Sequence, residues 1–495
     1  MYGEFNPMVK RWKKGYKGVA LVYPNRYVGG ISNLGLQYIY SRVNSLPGFI
    51  CERFYTDVFK GLKSVESGSS LQNFDFAFFS LQYEEDVFKV FEILEKARFS
   101  GIKVAGGPCI MENPLPYTKL FDVMFVGEVE GSNFIESVLE GEEEAEGLEG
   151  VYVPKNYKGD LKVKRVRSKL EDHILDEIIG EGAYGKSLLL EIGRGCKRNC
   201  RFCIVKRIYS PVRWRDKEIL LEVAENYRKI VDRVALIAPS PSDHPKFKEI
   251  VFSLSEMSYT VSPSSLRADN LDEEILELLA ESGLKSLTIA PEAGSEKLRR
   301  VINKGISEED VLNAARMAGE KGIEKIKLYF MIGLPGETQD DLRDILELSR
   351  KVKEFVRKVE ISVNPLVPKP HTPFQFLSFG GKLEFRREDI KELKQKIRFL
   401  RGEFKKANGF EFKAANVEEF AVQTVISRGN EDVFDLIKAG RRNAFRNIFR
   451  FGLEKYLDAV ETDKTNDIPW LFIDHGYNPK RLEEEFRRAM ALIEE

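Results

Sequence analysis

The stretch LEIGRGCKRNCRFCIVKR, residues 190–207, decides how this chain is interpreted. It places Cys196, Cys200 and Cys203 on one short segment directly after an apolar run. Their spacing would also fit one face of a helix, but Gly193 and Gly195 come immediately before them, and the run SLLLEI predicts a strand that ends there. We therefore expect a loop at the carboxyl end of a strand, on which three thiolates can hold a cubane iron–sulfur cluster.

The alternative for these cysteines is a structural zinc site or a set of unligated thiols. Structural zinc normally takes four protein ligands, whereas the nearest histidines in the sequence, His173 and His244, are distant. Cys51 and Cys109 fall in another predicted domain and are most simply interpreted as buried apolar thiols. The sequence therefore favours a cluster with three cysteine ligands.

Length and composition indicate a globular protein with several domains. A chain of 495 residues exceeds one ordinary core, and its residues are 43% hydrophobic and 31% charged. No apolar run approaches the roughly 20 residues that cross a bilayer, and the basic N-terminus lacks the apolar stretch of a secretory signal, so we expect a cytoplasmic protein. The net charge of −1 gives no global reason to expect nucleic acid, and the many Lys and Glu residues are typical of hyperthermophiles.

The order of apolar runs predicts an α/β protein with three parts. Residues 1–165 alternate strands and helices, which predicts a doubly wound, Rossmann-like parallel sheet. Its last stretch, residues 150–168, is interpreted as a hairpin or a linker. Residues 175–380 hold six apolar runs separated by helical stretches, which predicts a partial (β/α)6 barrel with its chemistry at the carboxyl ends of the strands. Residues 381–495 are predicted to form a mostly helical subdomain.

The motif CxxxCxxC, with Phe202 before its last cysteine, resembles the signature of the radical S-adenosylmethionine (SAM) superfamily. The resemblance implies a 4Fe-4S cluster held through three irons by Cys196, Cys200 and Cys203, with the fourth iron open to the amino and carboxylate groups of SAM. It also implies cleavage of SAM to a 5'-deoxyadenosyl radical that abstracts hydrogen from an unactivated carbon. The basic residues around the loop either offset the negative charge of the cluster or form a solvated face.

Segments after the later strands resemble the SAM-contacting motifs of this superfamily. APSPSDH (238–244) stands at the second-strand loop, although it departs from the usual Gly-Gly-Glu. SLRAD (265–269) and APEAGSEKLRRVINKG (290–305) resemble ribose- and carboxylate-contacting segments, and YFMIGLPGET (329–338) and NPLVPKPHTPFQF (364–376) resemble adenine-contacting ones. The resemblance implies the following SAM contacts: Phe202, Ser240, Ser265, Arg267, Glu292, Gly333 and Leu366.

The N-terminal segments KVAGGPCI (103–110) and VGEVEG (126–131) resemble the cobalamin-binding domain that precedes many radical SAM barrels. The resemblance implies the following cobalamin contacts: Asn25, Tyr27, Ser80, Gln82, Gly106 and Gly107. The loop PNRYVGGISNLG (24–35) lacks the motif that supplies a histidine to cobalt, and all four histidines lie outside this domain, so any cobalamin would have no histidine ligand from it. Two alternatives stay open: a relic domain that serves as scaffold or substrate platform, and a dinucleotide fold, against which the missing GxGxxG motif argues.

The C-terminal stretch IKAGRRNAFRNIFRFGLEKYLDAV (437–460) mixes Arg and Phe at helical spacing. It predicts either an amphipathic helix that covers the barrel or an RNA-binding surface, because arginines contact phosphates while aromatic rings stack on bases. The later IPWLFIDHGYNPKRLEEEFRRA (468–489) resembles the tail of uncharacterised bacterial and archaeal radical SAM proteins with cobalamin-type domains.

Cysteine arithmetic excludes several reactions within the superfamily. Methylthiotransferases and multi-cluster dehydrogenases need further cysteines, and a methyl-cysteine relay needs one beyond the barrel, whereas Cys203 is the last cysteine of this chain. Two enzyme hypotheses remain: cobalamin-assisted methyl transfer, and a corrin-free rearrangement, cyclisation or carbon–carbon bond formation. A cluster-bearing RNA-binding or assembly protein is the alternative without enzyme activity. The resemblance also implies a reductant such as ferredoxin or flavodoxin, while the substrate is not identified.

Catalytic roles for substrate-facing acids and donors rest only on predicted proximity to strand ends. The candidates are Tyr209, Asp243, His244 and His371.

Overall fold

The N-terminal domain of the computed structural model, which describes residues 3–159, 162–170, 177–462 and 468–494, is a doubly wound sheet. Its strands are β1 (Lys17–Tyr23), β2 (Phe49–Tyr55), β3 (Phe76–Ser80), β4 (Ile102–Gly106), β5 (Val123–Phe125) and β6 (Val151–Tyr152). Its helices are α1 (Tyr27–Ile31), α2 (Leu34–Ser45), α3 (Asp86–Ala97), α4 (Pro108–Glu112), α5 (Phe134–Glu140) and α6 (Glu142–Ala145). The strand order is β2-β1-β3-β4-β5-β6, and only β6 is antiparallel to its neighbour.

The inner strands of this sheet are largely buried. Strands β1 and β3 are buried along nearly their whole length, as expected for a sheet covered on both faces. Strand β2 was not predicted from the sequence. Glu52 and Arg53 interrupt its apolar pattern, but both are buried and paired: Glu52 accepts a hydrogen bond from Trp12 Nε1 at 2.7 Å, and Arg53 forms ion pairs with Glu4 and Glu66.

The predicted hairpin does not form between its two strands. β6 pairs with β5, whereas β7 (Val163–Lys164) pairs in parallel with β19 (Ile473–Asp474) near the C-terminus. The segment is therefore a linker whose strand finds its hydrogen-bond partner in the distant tail. The predicted boundary at residue 175 and His173 lie outside the described residues.

The middle of the chain forms the open, barrel-like part of the predicted fold. Short strands β8 (Glu181–Gly182), β9 (Gly185–Lys186), β11 (Gly193–Arg194) and β12 (Arg213–Trp214) form ribbons, and the main strands are β10 (Leu188–Glu191), β13 (Arg233–Ile237), β14 (Thr260–Pro263), β15 (Ser286–Glu292), β16 (Lys325–Ile332), β17 (Lys358–Pro365) and β18 (Phe410–Ala414). The helices here are α7 (Val205–Tyr209), α8 (Lys217–Tyr227), α9 (Phe247–Glu256), α10 (Glu273–Glu281), α11 (Glu296–Val301), α12 (Glu308–Glu320) and α13 (Gln339–Lys353).

These main strands form two parallel sheets, β10-β13-β14 and β15-β16-β17-β18. The Leu266 N–H, just after β14, donates to the Thr288 carbonyl in β15 at 3.5 Å, which joins the two sheets edge to edge. Among the described residues no pairing closes β18 onto β10, so the partial barrel predicted from the six apolar runs is confirmed as open.

The C-terminal region contains α14 (Arg387–Lys405), α15 (Val417–Arg428), α16 (Phe434–Ala439), α17 (Ala444–Arg450) and α18 (Lys480–Glu494). It also contributes β18, which extends the barrel sheet beyond the predicted boundary at residue 380. The Arg/Phe stretch forms two short helices instead of one, because Gly440 between them has φ +84°. The Phe449 ring packs under Arg387 at 4.2 Å, so the second of these helices contacts α14. No helix in the described ranges is long and apolar enough to cross a membrane.

At two glycines inside helices, the packing predicts opposite effects of substitution by Ala on the free energy of unfolding. A Cβ on Gly319 in α12 would lie 2.1 Å from the Phe355 carbonyl oxygen, whereas a Cβ on Gly402 in α14 meets nothing within 4 Å. Gly319→Ala should lower the free energy of unfolding by roughly 1–3 kcal/mol through overpacking. Gly402→Ala should raise it by about 1 kcal/mol through helix propensity. Denaturant unfolding followed by circular dichroism checks both, and equal shifts of the same sign would contradict the packing described.

Candidate functional site

The loop that carries the three cysteines is closed by a two-stranded ribbon. β11 and β12 pair antiparallel, with Gly193 opposite Trp214 and Arg194 opposite Arg213. A Cβ on Gly193 would lie 2.2 Å from the Trp214 ring, so the indole packs directly on the glycine backbone. The ribbon therefore holds the two ends of the loop, residues 195–212, side by side.

The same loop is pinned at its middle to two other parts of the barrel. The Arg201 N–H donates to the Ile302 carbonyl at 3.0 Å, and the Arg201 carbonyl accepts from the Phe374 N–H at 3.2 Å. Asn303 Nδ2 donates to the Asn199 carbonyl at 3.0 Å. Hydrogen bonds to Ile302, Asn303 and Phe374 thus fix the middle of the loop that carries the cysteines.

Cys196, Cys200 and Cys203 are free thiols with partly exposed side chains. Burial raises the pKa of the Cys200 thiol, which the positive charges of Lys304 and Arg267 partly oppose. Burial, followed by the neighbouring Cys200, raises the pKa of the Cys203 thiol to about 12. Metal binding needs thiolates, so loading this site releases protons.

The chemistry of this donor set fits an iron–sulfur cluster. In the part of the chain that the structure describes, no three His, Cys, Asp or Glu side chains converge on the position of a single ion. A cubane takes each thiolate on a separate iron atom. Three thiols on one loop, with the cations of Lys304 and Arg267 within electrostatic range, match a cluster whose thiolate ligands carry negative charge.

Asp243 joins the cysteine loop to the second-strand loop. Its buried carboxylate accepts a hydrogen bond from Arg198 at 2.7 Å and lies 3.1 Å from Lys197 Nζ, and Asn270 also donates to it. Burial alone would raise the pKa of Asp243, but the contacts with Arg198 and Lys197 lower it to about 2. A carboxylate that stays charged and paired positions the loop, which is a poor match for the proton donor considered from the sequence.

Arg267 and Glu292, from separate strand ends, meet at Lys304. Lys304 Nζ lies 3.1 Å from Glu292 Oε1, and the Lys304 carbonyl accepts from Arg267 Nη2 at 3.0 Å. Arg267 Nε also donates to Asp269 at 2.9 Å. Sequence reasoning missed Lys304, because nothing in the motif shows which of its basic residues folds back toward the thiols.

The other candidate SAM contacts lie near strand ends but pack against protein atoms. Gly333 has φ +72°, and a Cβ there would lie 2.9 Å from Leu393. Leu366 is buried in an apolar cluster that Phe202 also packs against. Ser265 follows β14 and is partly exposed, while Ser240 is buried beside Asp243. Their contact with SAM stays a prediction.

The two histidines proposed as catalytic have structural partners. His244 Nδ1 accepts from the Lys246 N–H at 3.0 Å, and Nε2 lies 3.0 Å from the Arg215 carbonyl oxygen. His371 is fully buried, and its Nε2 lies 2.9 Å from the Glu112 carbonyl oxygen in the N-terminal domain. Burial lowers the pKa of His371 to about 3. Both rings therefore serve the packing between elements in this structure.

A cavity of about 380 Å³ lies between the N-terminal sheet and the barrel. Its walls are the start of α2, the carboxyl ends of β3, β4 and β5, and the ends of β10 and β13. Four of the six candidate cobalamin contacts line it, namely Ser80, Gln82, Gly106 and Gly107. Tyr209 lines the same cavity, which keeps it as a candidate for contact with a ligand.

Asn25 and Tyr27, the two remaining candidate cobalamin contacts, do not line this cavity. Asn25 Nδ2 donates to Asp86 at 2.8 Å, and the Tyr27 hydroxyl donates to Glu4 at 2.5 Å. The loop after β1 therefore packs on α3 and on the N-terminal segment, which the sequence pattern did not indicate.

Glu128 ties this cavity to the cysteine ribbon. Its side chain is 1% exposed and accepts hydrogen bonds from both terminal nitrogens of Arg213 at 2.7 Å, and it lies 3.2 Å from Arg194. The Ser168 hydroxyl donates to it at 2.7 Å. Burial opposes ionisation of Glu128, yet Arg213, Arg194 and Ser168 lower its pKa to about 2.

Comparison with known proteins decides the family. A family model described as the radical SAM superfamily matches residues 190–349, and one described as radical SAM proteins, N-terminal, matches residues 35–154. A protein from Methanocaldococcus jannaschii is 42% identical over 426 residues, covering 84% of this chain and 90% of the relative. The chain belongs to the radical SAM superfamily. This superfamily uses a 4Fe-4S cluster and SAM.

Two further similarities are more distant. A tRNA-2-methylthio-N(6)-dimethylallyladenosine synthase from Carboxydothermus hydrogenoformans is 27% identical over 197 residues, covering 37% of this chain and 44% of that relative. The solved structure of TsrM from Kitasatospora setae, a radical SAM methyltransferase with cobalamin and a 4Fe-4S cluster bound, aligns with a TM-score of 0.54. That alignment covers 73% of this chain and 77% of TsrM at 15% identity, so it shows a shared fold. The thermophilic source of the Methanocaldococcus relative agrees with the composition of this radical SAM chain.

Replacing any one of Cys196, Cys200 or Cys203 by Ala should reduce the iron retained after anaerobic reconstitution by at least about tenfold. Mutating a residue that only hydrogen-bonds to a metal ligand already lowers metal affinity by about that factor, and losing a ligand lowers it further. Cys51→Ala is the matched control, since Cys51 is buried in the N-terminal sheet. Iron and sulfide quantitation on desalted protein checks this. Equal iron in the loop variants and the control would contradict the assignment.

Glu128→Gln should destabilise the protein by about 3 kcal/mol at neutral pH, because the half-buried Arg213 loses its paired carboxylate while Arg194 keeps Glu130 and Glu191. The lowered pKa of Glu128 means that its contribution is fully present above its ordinary value of 4.5 and is lost as pH falls toward 2. The difference between wild type and variant in urea unfolding should therefore shrink at acid pH. Glu143→Gln, at an exposed position of the same domain, is the control and should change little.

Proposed function

We propose that this radical SAM protein catalyses cobalamin-assisted methyl transfer to an unactivated carbon. The observation that carries the proposal is the cavity between the carboxyl edge of the Rossmann-like sheet and the strand ends beside the cysteine loop. Ligands of doubly wound sheets bind at that edge. The bound cobalamin in TsrM, which shares the fold, supports the same use of the cavity.

When bound, the cluster and SAM supply a 5'-deoxyadenosyl radical that abstracts hydrogen, and cobalamin supplies the methyl group. The chain contributes placement and charge. Cys196, Cys200 and Cys203 hold the cluster, while Lys304 and Arg267 add positive charge beside it. Asp243 holds the cysteine loop against the second-strand loop where SAM is expected.

Residues of the N-terminal domain would hold the corrin from the opposite wall. Gly106 leaves backbone open at the end of β4, and Gly107 allows the chain to pass close to Leu81. Gln82 Nε2 donates to Ser80 Oγ at 2.8 Å, so these two polar groups form one hydrogen-bonding edge. No histidine lines the cavity in the described ranges. We therefore propose that cobalamin is held without a histidine from this domain.

A corrin-free radical SAM reaction is the second candidate. About 380 Å³ falls within the range of clefts that hold drug-sized molecules, so the cavity would also suit a small ligand. In this alternative the cavity takes the substrate itself. Tyr209 and the paired carboxylates Glu128, Glu130 and Glu191 would then face it.

Gly106→Phe separates the two candidates. A Cβ on Gly106 would lie 3.9 Å from its nearest neighbouring atom, the Phe125 carbonyl oxygen, so a phenyl ring can enter the cavity without a backbone clash. The holoenzyme is reconstituted anaerobically with iron, sulfide and hydroxocobalamin, and cobalt and iron are quantified after desalting. Wild type should retain cobalt, whereas Gly106→Phe should lower cobalt at least about tenfold, because the ring fills space a ligand needs, and should keep its iron.

Gly147→Phe is the matched control, because Gly147 is exposed in the same domain and a Cβ there meets nothing within 4 Å. It should leave both metals unchanged. Wild-type protein with iron but no cobalt overturns cobalamin-assisted methyl transfer and leaves the corrin-free candidate. SAM-cleavage products, 5'-deoxyadenosine and methionine, then test that candidate with a reductant of the ferredoxin or flavodoxin type.

A further inference from the structure

A second cavity, of about 180 Å³, lies away from the domain interface described above. We name it the tail pocket and define it by its lining residues: Arg167, Lys206, Arg207, Ser210, Pro211, His475, Gly476 and Tyr477. They come from three separate segments, namely the linker, the helix α7 that follows the cysteines, and the C-terminal tail. The parallel pair between β7 and β19 holds two of these segments together beside the pocket.

The tail pocket has an excess of positive charge. In the part of the chain that the structure describes, no carboxylate lies within ion-pair distance of Arg167, Lys206 or Arg207. Arg207 instead lies over the Tyr477 ring at 5.3 Å. A fourth cation, Arg165, is buried beside the pocket and donates only to carbonyl oxygens, those of Ile208 and Ser210, at 2.5 and 2.6 Å.

The nearest carboxylates are committed to other groups. Asp474 Oδ1 accepts from the Gly476 N–H at 2.7 Å. Glu485 lies 3.2 Å from Arg201 and 2.6 Å from Arg488. Among the described residues no carboxylate lines the pocket, and Glu485, which lies within electrostatic range of Lys206 and Arg207, is shared with Arg201 and Arg488, so a ligand that fills the pocket should be an anion.

His475, which lines this cationic pocket, has one ring nitrogen whose hydrogen-bonding capacity is unused among the described residues. It is 4% exposed, and its Nε2 lies 2.9 Å from the Met111 carbonyl oxygen. A carbonyl oxygen only accepts, so Nε2 carries the hydrogen and Nδ1 presents a lone pair. Nδ1 has no partner among the described residues. Burial, with His371 and Arg165 nearby, holds the pKa of His475 well below its ordinary value, so the ring stays neutral.

We propose that the tail pocket binds a phosphate group that retains one hydrogen. Its oxygens would accept from Arg167, Lys206 and Arg207, and its hydroxyl would donate to His475 Nδ1. Sulfate has the same shape and charge but carries no hydrogen at neutral pH, so it would set an oxygen against that lone pair. A bound phosphate would join the linker, the helix after the cysteines and the tail at one point.

Calorimetric titration of the anaerobically reconstituted holoenzyme, in chloride buffer, with inorganic phosphate and with sulfate tests the proposal. We expect phosphate to bind about tenfold more tightly than sulfate, the usual worth of one hydrogen bond to a charged group. Methyl phosphate, titrated at a pH where it keeps one hydrogen, is a third probe. Binding of methyl phosphate identifies the phosphate end of a larger ligand as the source, and binding of inorganic phosphate alone identifies the free ion; both support the proposal.

Two variants test separately the positive charge of Arg167 and the acceptor Nδ1 of His475. Glutamine at position 475 can still donate to the Met111 carbonyl but has no lone pair at the place of Nδ1, so His475→Gln should bring the preference for phosphate over sulfate close to one. Arg167→Gln should weaken both anions by a similar factor and keep their ratio. Arg446→Gln, at an exposed arginine on α17, is the control and should change neither.

Three outcomes would overturn the proposal. They are the absence of phosphate binding to wild-type holoenzyme, equal affinity for sulfate, and weakening by Arg446→Gln as large as that by Arg167→Gln. Circular dichroism confirms that each variant is folded. Should His475→Gln fail to fold, the phosphate-to-sulfate ratio of wild type and the arginine pair still decide the matter.

Discussion

One ionic contact, between buried Glu128 and the arginines of the cysteine ribbon, sets the relation between the N-terminal sheet and the cysteine loop. Glu128 stands at the carboxyl edge of the N-terminal sheet, while Arg194 and Arg213 flank the cysteine loop on paired strands. A buried carboxylate tolerates removal from water only when its partners are well placed, and two arginines with Ser168 satisfy it here. Because the contact is directional, the cavity and the cysteine loop are held at a fixed separation.

The strands were predictable where burial on both faces made the sequence uniformly apolar, as in β1 and β3, and where an alternating pattern marked one buried face, as in β16. β2 escaped prediction because Glu52 and Arg53 are charged yet buried, and their partners lie at Trp12, Glu4 and Glu66, which no local pattern reveals. β18 is short and half-polar, and only its pairing with β17 makes it a strand. The two strands of the expected hairpin likewise found partners elsewhere, since strand pairing depends on which edges the tertiary structure leaves open.

The cysteine loop could be predicted because its chemistry depends on spacing along the chain, which sequence records directly. The residues around it depend on distance in space. Lys304 lies about a hundred residues beyond the cysteines and reaches them only because α11 and the turn after it pack on the loop. Asn25 and Tyr27 show the opposite case, in which residues of the right type follow the right strand but turn toward other partners.

The parallel pair between β7 and β19 has a consequence for how the chain is made. It joins residues 163–164 to residues 473–474, so the linker strand emerges from the ribosome long before its partner exists. Domains generally fold as they are synthesised, the N-terminal one first. The linker strand must therefore wait, unpaired, through synthesis of the whole barrel, and the tail pocket is completed only when His475, Gly476 and Tyr477 have been made. Final assembly is a late, long-range event that depends on residues 473–477.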